Sequence, residues 1–301
     1  VIIPHLNEPE DNLRRCLVAL DAQRAPHLPI QIIVVDNGSA KLPVELCASI
    51  PDVRLEREMT PGPGPARNRG AALAQSALIA FVDADCVVQA GWAQAIIHTM
   101  DSHPEIDVIG GDIGILMADP TRPSAIEAYE SIYSYRARLY VERHGYAATG
   151  NIAVRTSVFR HVGDFGGIDT MEDTAWGQRA TALCYRTVFL RDAKVLTPSC
   201  RSFTELTRRW DRHVAHQFAD VGQGSIARLR WFAISILVAG SPLVESFRIL
   251  GSNKISGIKS RARALSCLTR VRLYRAKLML DLARRRPAST LVDGWNREGT
   301  V

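Results

Sequence analysis

Paired or regularly spaced cysteines are missing from this sequence. Its six cysteines, Cys16, Cys47, Cys86, Cys184, Cys200 and Cys267, contain no C-x-x-C pair. That argues against a zinc site and a disulfide framework, and points to a reducing compartment. Long hydrophobic runs are also missing. Residues 231–244 are fourteen residues without a charge, short of the roughly twenty a spanning helix needs. With Arg228 and Arg230 before it and Pro242 inside it, this stretch reads as interfacial or re-entrant. No glycine-rich loop bearing Lys or Arg follows the first apolar run, and no aromatic-rich strand accompanies the basic residues. The second absence speaks against nucleic acid as a partner. No secretory signal opens the chain, which begins without Met inside Val1-Ile2-Ile3-Pro4; a short N-terminal piece is therefore expected to be missing.

What is present is ordinary in amount and uneven in placement. At 301 residues and 47% hydrophobic content, the chain can bury a full core, as one large domain or one domain with an appendage. The net charge is +6, but residues 225–301 hold 15 Lys/Arg and 4 Asp/Glu, a net of +11. Residues 1–224 hold 22 Lys/Arg and 27 Asp/Glu, a net of −5. A mildly acidic body carries a strongly basic tail. Such tails meet anionic lipid or nucleic acid, or are solvated.

The body is organised around Ile79-Ala80-Phe81-Val82-Asp83-Ala84-Asp85-Cys86. An unbroken apolar run bounded by polar residues is the pattern of a strand buried on both faces. Side chains alternate along an extended chain, so Asp83 and Asp85 are expected on one side at the strand's end. Two carboxylates there form a hard oxygen half-site suited to Mg²⁺ or Mn²⁺ and the phosphates such a metal carries. Upstream, Val1–Pro4 ends a first strand, and Leu13, Cys16, Leu17 and Leu20 mark an amphipathic helix after Asn7 and Pro9. Residues 30–35 form a second strand running into Asp36-Asn37-Gly38-Ser39, a turn cluster. A short strand over 53–57, rigid Pro-Gly alternation over 60–65 and helical composition over 66–77 lead back to the central strand, and a helix over 91–103 follows. Strand and helix alternate as in a parallel sheet covered by helices. Ligands bind outside the carboxyl ends of such strands, where Asp36 and the Asp83/Asp85 pair sit.

Four segments together carry a family resemblance: Val1-Ile2-Ile3-Pro4-His5-Leu6-Asn7-Glu8, Ile33-Val34-Val35-Asp36-Asn37-Gly38-Ser39, Gly64-Pro65-Ala66-Arg67-Asn68-Arg69-Gly70 and Phe81-Val82-Asp83-Ala84-Asp85. In order and spacing the chain resembles the family 2 glycosyltransferases over about residues 1–215. The resemblance implies a GT-A fold, a Rossmann-like, mostly parallel sheet flanked by helices, here with a basic helical C-terminal appendage. It implies that Asp36 contacts the base of a sugar nucleotide and that Pro4, Asn7 and Glu8 line the same pocket. Arg67 would lie beside the base or diphosphate, Asp85 would ligate the metal, and Asp83 would sit near the ribose or metal. Asp36 in Asp-Asn-Gly-Ser has a local reading as well, an Asx turn, and the two are compatible.

Further along, strands are expected over 106–109 and 113–116, joined by Gly110-Gly111-Asp112, then a helix over 124–140. On that helix Tyr129, Tyr133, Arg136 and Tyr140 share a face, a stripe suited to a core and, alternatively, to stacking on an acceptor sugar. Thr149-Gly150-Asn151 leads into a strand and resembles the family's Gly-x-Asn segment, which places Gly150 and Asn151 near the donor sugar. Glu172 and Asp173 follow a glycine-containing loop at the start of a helix over 174–183. Acids at that place cap a helix and offset its dipole, and an ionised one can also take a proton from an incoming hydroxyl. By the resemblance Asp173 is the general base and Glu172 orients the acceptor, with Asp164 and Asp169 as spare candidates. Two short extended pieces over 187–190 and 194–197 precede a helix over 202–218. Pro198-Ser199-Cys200 stands where many relatives place a metal-binding His, which leaves His213 or His216 as a third ligand. Arg208-Arg209-Trp210 has two readings, an Arg on the leaving diphosphate or a solvated helix face. In the tail, Lys and Arg recur among Leu265, Leu268, Val271, Leu278 and Leu280, a basic amphipathic helix of the type that meets an anionic membrane surface or packs on the body. Arg284-Arg285-Arg286-Pro287 ends it, and residues 288–301 read as loose.

The expected protein is an inverting glycosyltransferase, dependent on Mg²⁺ or Mn²⁺. It would move a sugar from a nucleoside-diphosphate sugar, UDP favoured, to a glycan or lipid-linked acceptor. The expected domains are 1–220 (donor half to about 115, acceptor half 116–220) and a basic helical region over 221–301. The expected location is cytoplasmic, peripheral on the inner face of the membrane. A sugar nucleotidyltransferase would want the missing Gly-rich, basic first loop. A non-catalytic nucleotide-binding scaffold on the same fold would not need both acidic pairs.

Overall fold

A computed structural model describes residues 1–25, 27–168, 170–219 and 225–284; within its helices the side chains of residues 209, 212, 213, 215, 216, 219 and 225 are outside the description. In chain order the elements begin β1 (Ile2–His5), α1 (Glu10–Asp21), β2 (Ile32–Asp36), α2 (Val44–Ala48), β3 (Val53–Arg57), α3 (Pro63–Leu73), β4 (Leu78–Val82), β5 (Val87–Val88) and α4 (Trp92–Ser102). They continue with β6 (Val108–Leu116), α5 (Ala125–Tyr133), α6 (Ala137–His144), β7 (Asn151–Arg155), α7 (Thr156–Val162), α8 (Glu172–Ala182) and β8 (Thr187–Pro198). Four helices close the described chain: α9 (Phe203–Ala219), α10 (Ser225–Gly240), α11 (Pro242–Leu250) and α12 (Ile258–Arg284).

The strands make one eight-stranded sheet in the order β3-β2-β1-β4-β7-β6-β8-β5. The first four are parallel; β7 joins β4 antiparallel, β6 joins β7 antiparallel, and β5 joins β8 antiparallel. The chain winds from β1 outward to β2 and β3, then crosses back to β4 on the other side of β1. Ligands bind at such a reversal, outside the carboxyl ends of the strands. Every residue of β2 is buried, the apolar run Ile32–Val35 and the Asp36 that ends it.

By contacts the chain forms two compact units, residues 1–114 with 136–197, and residues 115–135 with 198–301. The core of the first packs Phe81, Phe159, Phe165 and Trp176 with Ile2, Ile152 and Val154. The core of the second packs Tyr129, Ile132 and Tyr133 of α5 with Leu206, Ile249, Leu268 and Val271.

Several local expectations are revised. The two strands expected over 106–116 are one nine-residue strand, β6. Gly110 and Gly111 lie inside it because a Cβ there would stand 2.7 Å from Val141 Cγ2 and 2.2 Å from Asn151 Nδ2. Close packing, not a turn, requires those glycines. The pieces over 187–197 are likewise one strand, β8. The helix over 66–77 begins at Pro63 and ends at Leu73; proline is tolerated in a first turn because its missing N–H has no partner there anyway. The single helix over 124–140 is two. Ser124 and Glu127 form a capping box at the start of α5, but Arg136 leaves the helical region (φ −121°, ψ 52°). The tyrosine stripe is therefore divided. Tyr129 stacks on Tyr133 at 5.3 Å inside the second unit, whereas Tyr140 stacks on Tyr146 at 5.2 Å in the first.

Candidate active site

The Asp83–Asp85 segment follows the buried strand β4, but it is a turn rather than a strand continuation. The Cys86 N–H donates to the Asp83 carbonyl at 3.0 Å, so strict alternation does not decide where the two carboxylates point. Asp85 is partly buried beside Asp83. Loss of hydration, then the negative charges of Asp83 and Glu8, push its pKa up to about 7. Three acids in one neighbourhood make a site that a cation would relieve. Two thiols lie beneath: Cys16 Sγ is 3.6 Å from the Asp83 carbonyl oxygen. Burial first, and then the charge of Asp85, raise the pKa values of Cys16 and Cys86, so both remain neutral.

Arg67 of α3 ties this corner to the start of α8. Its guanidinium, in a residue only 3% exposed, donates to Asp83 Oδ1 at 2.7 Å and to Glu172 Oε1 at 3.1 Å. Burial would lower its pKa, yet the charges of Asp83 and Glu172 outweigh burial and raise it. Arg67 Nε is buried and has no hydrogen-bond partner. The surrounding motif explains why the arginine is held still. A Cβ at Gly64 would meet the Gly166 carbonyl oxygen at 2.0 Å, and one at Gly70 would meet Ile2 Cγ2 at 2.4 Å. Asn68 grips the loop before α8 by both ends of its amide, donating to Phe165 O and accepting from Phe165 N, each at 2.9 Å.

Asp173 sits beside Glu172 in the first turn of α8 and accepts from the Thr174 N–H at 2.7 Å. Burial and then the charge of Glu172 raise its pKa, against the Thr174 hydrogen bond and Arg67. Tyr146, stacked on Tyr140, is close enough to feel that charge: burial, Tyr140 and Asp173 push its hydroxyl up to about 12. Tyr146 is a site neighbour that sequence reasoning missed, although it belongs to the conspicuous tyrosine cluster. Asp164 is exposed, and its carbonyl accepts from Arg179; Asp169 lies outside the described residues.

A cleft of about 330 Å³ opens beyond the ends of β1 and β2, lined by His5, Asn7, Glu8, Lys41 and Glu45 among others. Asn7 adopts a left-handed conformation (φ 50°), and its side chain accepts from the Ala40 N–H at 2.9 Å. Pro4 is within β1, paired with Val35. Asp36 lies one step behind the wall. It is 0% exposed, with Oδ1 at 3.0 Å from His5 Nδ1 and Oδ2 accepting from the N–H groups of Gly38 and Ser39. Burial alone would raise its pKa; hydrogen bonds from His5, Ser39 and Gly38 reverse the direction and lower it. Asp36 thus builds the local turn and presents no exposed oxygen to the cleft.

Gly150 and Asn151 have distinct jobs. A Cβ at Gly150 would stand 2.6 Å from Asp83 Oδ2, so glycine makes room for that carboxylate. Asn151 is a clamp: its Nδ2 donates to Asp112 O and Ala193 O, and its Oδ1 accepts from Trp92 Nε1. Its amide is fully engaged inside the protein. Trp210 of the Arg-Arg-Trp element lies in the second unit under the Arg275 guanidinium, 4.1 Å away. The side chains of His213 and His216 are outside the description.

The family model described as "Glycosyl transferase family 2" matches residues 1–163, more than half the chain. This chain is a family 2 glycosyltransferase. Among its relatives, glycosyltransferase AglE of Haloferax volcanii is 30% identical over 233 residues, covering 75% of this chain and 72% of AglE. The pre-mycofactocin glycosyltransferase of Mycobacterium tuberculosis is 28% identical over 197 residues, covering 62% of this chain but 38% of that protein. The fold is that of S. aureus TarS residues 1–349, solved in complex with UDP-GlcNAc: the TM-score is 0.52 at 14% identity, covering 91% of this chain and 89% of that one. The mixed sheet flanked by helices is a GT-A fold.

The acids of this glycosyltransferase have the chemistry to hold a divalent cation. Asp85 and Asp83 offer hard oxygens, and their mutual repulsion with Glu8 favours positive charge. Among the described residues no group of three or more His, Cys, Asp or Glu is close enough to hold a metal by itself.

Proposed function

We propose that this family 2 glycosyltransferase is an inverting, divalent-metal-dependent enzyme using a nucleoside-diphosphate sugar, with UDP as the favoured nucleotide. The acceptor is a hydroxyl of a glycan or lipid-linked glycan. The observation that carries this reading is the buried Arg67, bridging Asp83 at the end of β4 and Glu172 at the start of α8. One guanidinium touches a single acid of each pair, Asp83 and Glu172. The UDP-GlcNAc bound by TarS on the same fold supports the donor class.

In this reading the cleft walled by His5, Asn7 and Glu8 receives the nucleotide, with Pro4 beside it and Asp36 as the contact to the base. Asp85, helped by Asp83, would hold the metal, which supplies charge neutralisation for the leaving diphosphate. Asp173, the second acid of the pair, is the general base, and Glu172, held by Arg67, orients the acceptor. Its raised pKa brings it closer to the working pH, where general bases are most effective. Asp173 takes the proton of the acceptor hydroxyl as that oxygen attacks the anomeric carbon from the face opposite the diphosphate. The carbon–oxygen bond to the diphosphate breaks in the same displacement, so the anomeric configuration inverts. The rigid Arg67 brace contributes by alignment.

In this reading residues 1–220 are the transferase domain, with the donor half at about 1–115 and the acceptor half at 116–220, and 221–301 form a basic C-terminal region. The protein works in the cytoplasm, peripherally on the inner membrane face. Calorimetric titration of UDP, GDP and dTDP with and without Mn²⁺ tests the donor site. One nucleotide binds only with metal, and Asp85→Ala abolishes that binding. Asp173→Asn keeps donor binding and loses about 10²–10⁴-fold in kcat. Metal-independent binding of all three nucleotides, or full turnover by Asp173→Asn, would refute the assignment.

A further inference from the structure

The tail read as a surface-seeking basic helix is organised differently. On α12, Ala264, Cys267, Leu268 and Val271 are buried against the rest of their unit, and Met279 and Leu282 pack with Trp231 of α10. The apolar face of α12 is thus already used. Ile258 and Leu273 of α12 remain exposed, but the more extensive exposed apolar surface lies on α10 and α11. Ile226, Leu229 and Leu237 of α10, and Leu243, Val244 and Phe247 of α11, are each between 68% and 79% exposed. At helical spacing the α10 residues share one face, and the opposite face carries Trp231 and Ser235, both buried. Trp231 fixes that orientation by donating from Nε1 to the Met279 carbonyl at 2.8 Å. On α11 the buried Pro242 and Ile249 again lie away from the exposed face.

We propose that the exposed α10–α11 face is a membrane-docking surface that inserts its apolar side chains into an anionic lipid monolayer. Charge selects this occupant. Residues 225–284 hold 12 Lys/Arg against 2 Asp/Glu, and Arg228, Arg230 and Arg248 are exposed on the two helices themselves. A second copy of this chain would bring the same positive charge to the contact; anionic headgroups bring the opposite one. Spanning fits less well. No single described helix is long and apolar enough to cross a membrane, and the pair that passes by composition is bent by 42°. The 16 residues of α10 extend roughly 24 Å, against a hydrocarbon core of about 30 Å. One face of α10 is occupied by protein, and α11 carries Glu245, paired with Arg272 at 2.6 Å. A half-covered helix pair with a basic rim lies in the interface.

This inference rests on the peripheral location proposed above and on no step of the sugar chemistry, so its test uses vesicles without donor or acceptor. The whole protein is sedimented with vesicles of phosphatidylcholine alone and of phosphatidylcholine with about 30% phosphatidylglycerol. Binding is expected only to the anionic vesicles, and about 0.5 M NaCl weakens it. The variant L237S/L243S/F247S alters exposed positions, so it keeps its melting temperature and binds about tenfold more weakly. R228E/R230E also weakens binding, and a Trp placed by Phe247→Trp shows a blue-shifted emission on anionic vesicles. The proposal is overturned if wild type stays in the supernatant, if the triple variant binds equally, or if the Trp emission does not move. It is overturned as well if the triple variant dissociates a dimer seen by sedimentation velocity, which would make a second copy the occupant. Resistance of membrane-bound protein to salt and carbonate extraction would replace docking by spanning.

Discussion

Asp36 is held at the end of β2 by a set of local donors. Its carboxylate is covered and accepts from His5 and from the Gly38 and Ser39 amides. Because its pKa is lowered in the folded protein, folding stabilises the ionised form. That contribution is present above the unfolded pKa of about 3.9 and is lost as pH falls through the lower folded value. Asp36→Asn should therefore lower stability in urea unfolding at pH 7, and the gap to wild type should shrink in acid. A constant gap would assign the loss to shape rather than charge. Gly150 offers a second residue-scale test. An added Cβ at 2.6 Å from Asp83 Oδ2 must displace a carboxylate that is 43% exposed and held through its other oxygen by Arg67. Gly150→Ala should change the melting temperature little, since the overpacking costs about 1 kcal/mol, yet weaken metal-dependent nucleotide binding. Unchanged binding would remove Asp83 from the donor site.

Among the elements, the loop between α7 and α8 decides whether the two acidic pairs meet. Asn68 is its anchor, with two hydrogen bonds to one residue of the loop, Phe165. The Phe165 ring packs edge-on to Phe81 of β4 at 5.2 Å, so the loop is tied to the strand that ends at Asp83. Asn68→Ala removes both hydrogen bonds and leaves two loop backbone groups unpaired, a loss of about 1–3 kcal/mol. The expected result is a lower melting temperature with a larger fall in kcat than in donor affinity. A fall in stability alone would mean that Glu172 and Asp173 are positioned by α8 itself.

For the whole molecule, the uneven charge is the property with functional reach. The basic surplus of residues 225–301 acts over about a Debye length, roughly 10 Å at 0.1 M salt, and under the docking proposed above it would concentrate the enzyme where anionic lipid is present. Turnover on an acceptor embedded in anionic vesicles should exceed turnover on the same acceptor in neutral micelles by about tenfold, and high salt should remove the difference. Equal rates at low salt would separate the basic tail from acceptor access.

The sequence by itself determined the family, the alternation of β1 to β4 with their helices, and the places where acids end strands or start a helix. Those features are local: an apolar run of five residues, a turn cluster, or an acid in a first helical turn needs no distant partner to be recognised. The tertiary structure decided what each side chain faces. It joined the strand pieces around Gly110-Gly111 and over 187–198, because neighbouring strands supply hydrogen bonds that no short window contains. It divided the helix over 124–140, which has no breaking residue, at the point where the chain passes from one compact unit to the other. It made Asn151 a clamp, set Arg67 between Asp83 and Glu172 at a sequence separation of 105 from the latter, and chose packing on the body for one face of α12 while leaving α10 and α11 with exposed apolar faces. Each of those outcomes depends on atoms distant in sequence competing for the same space and the same charge.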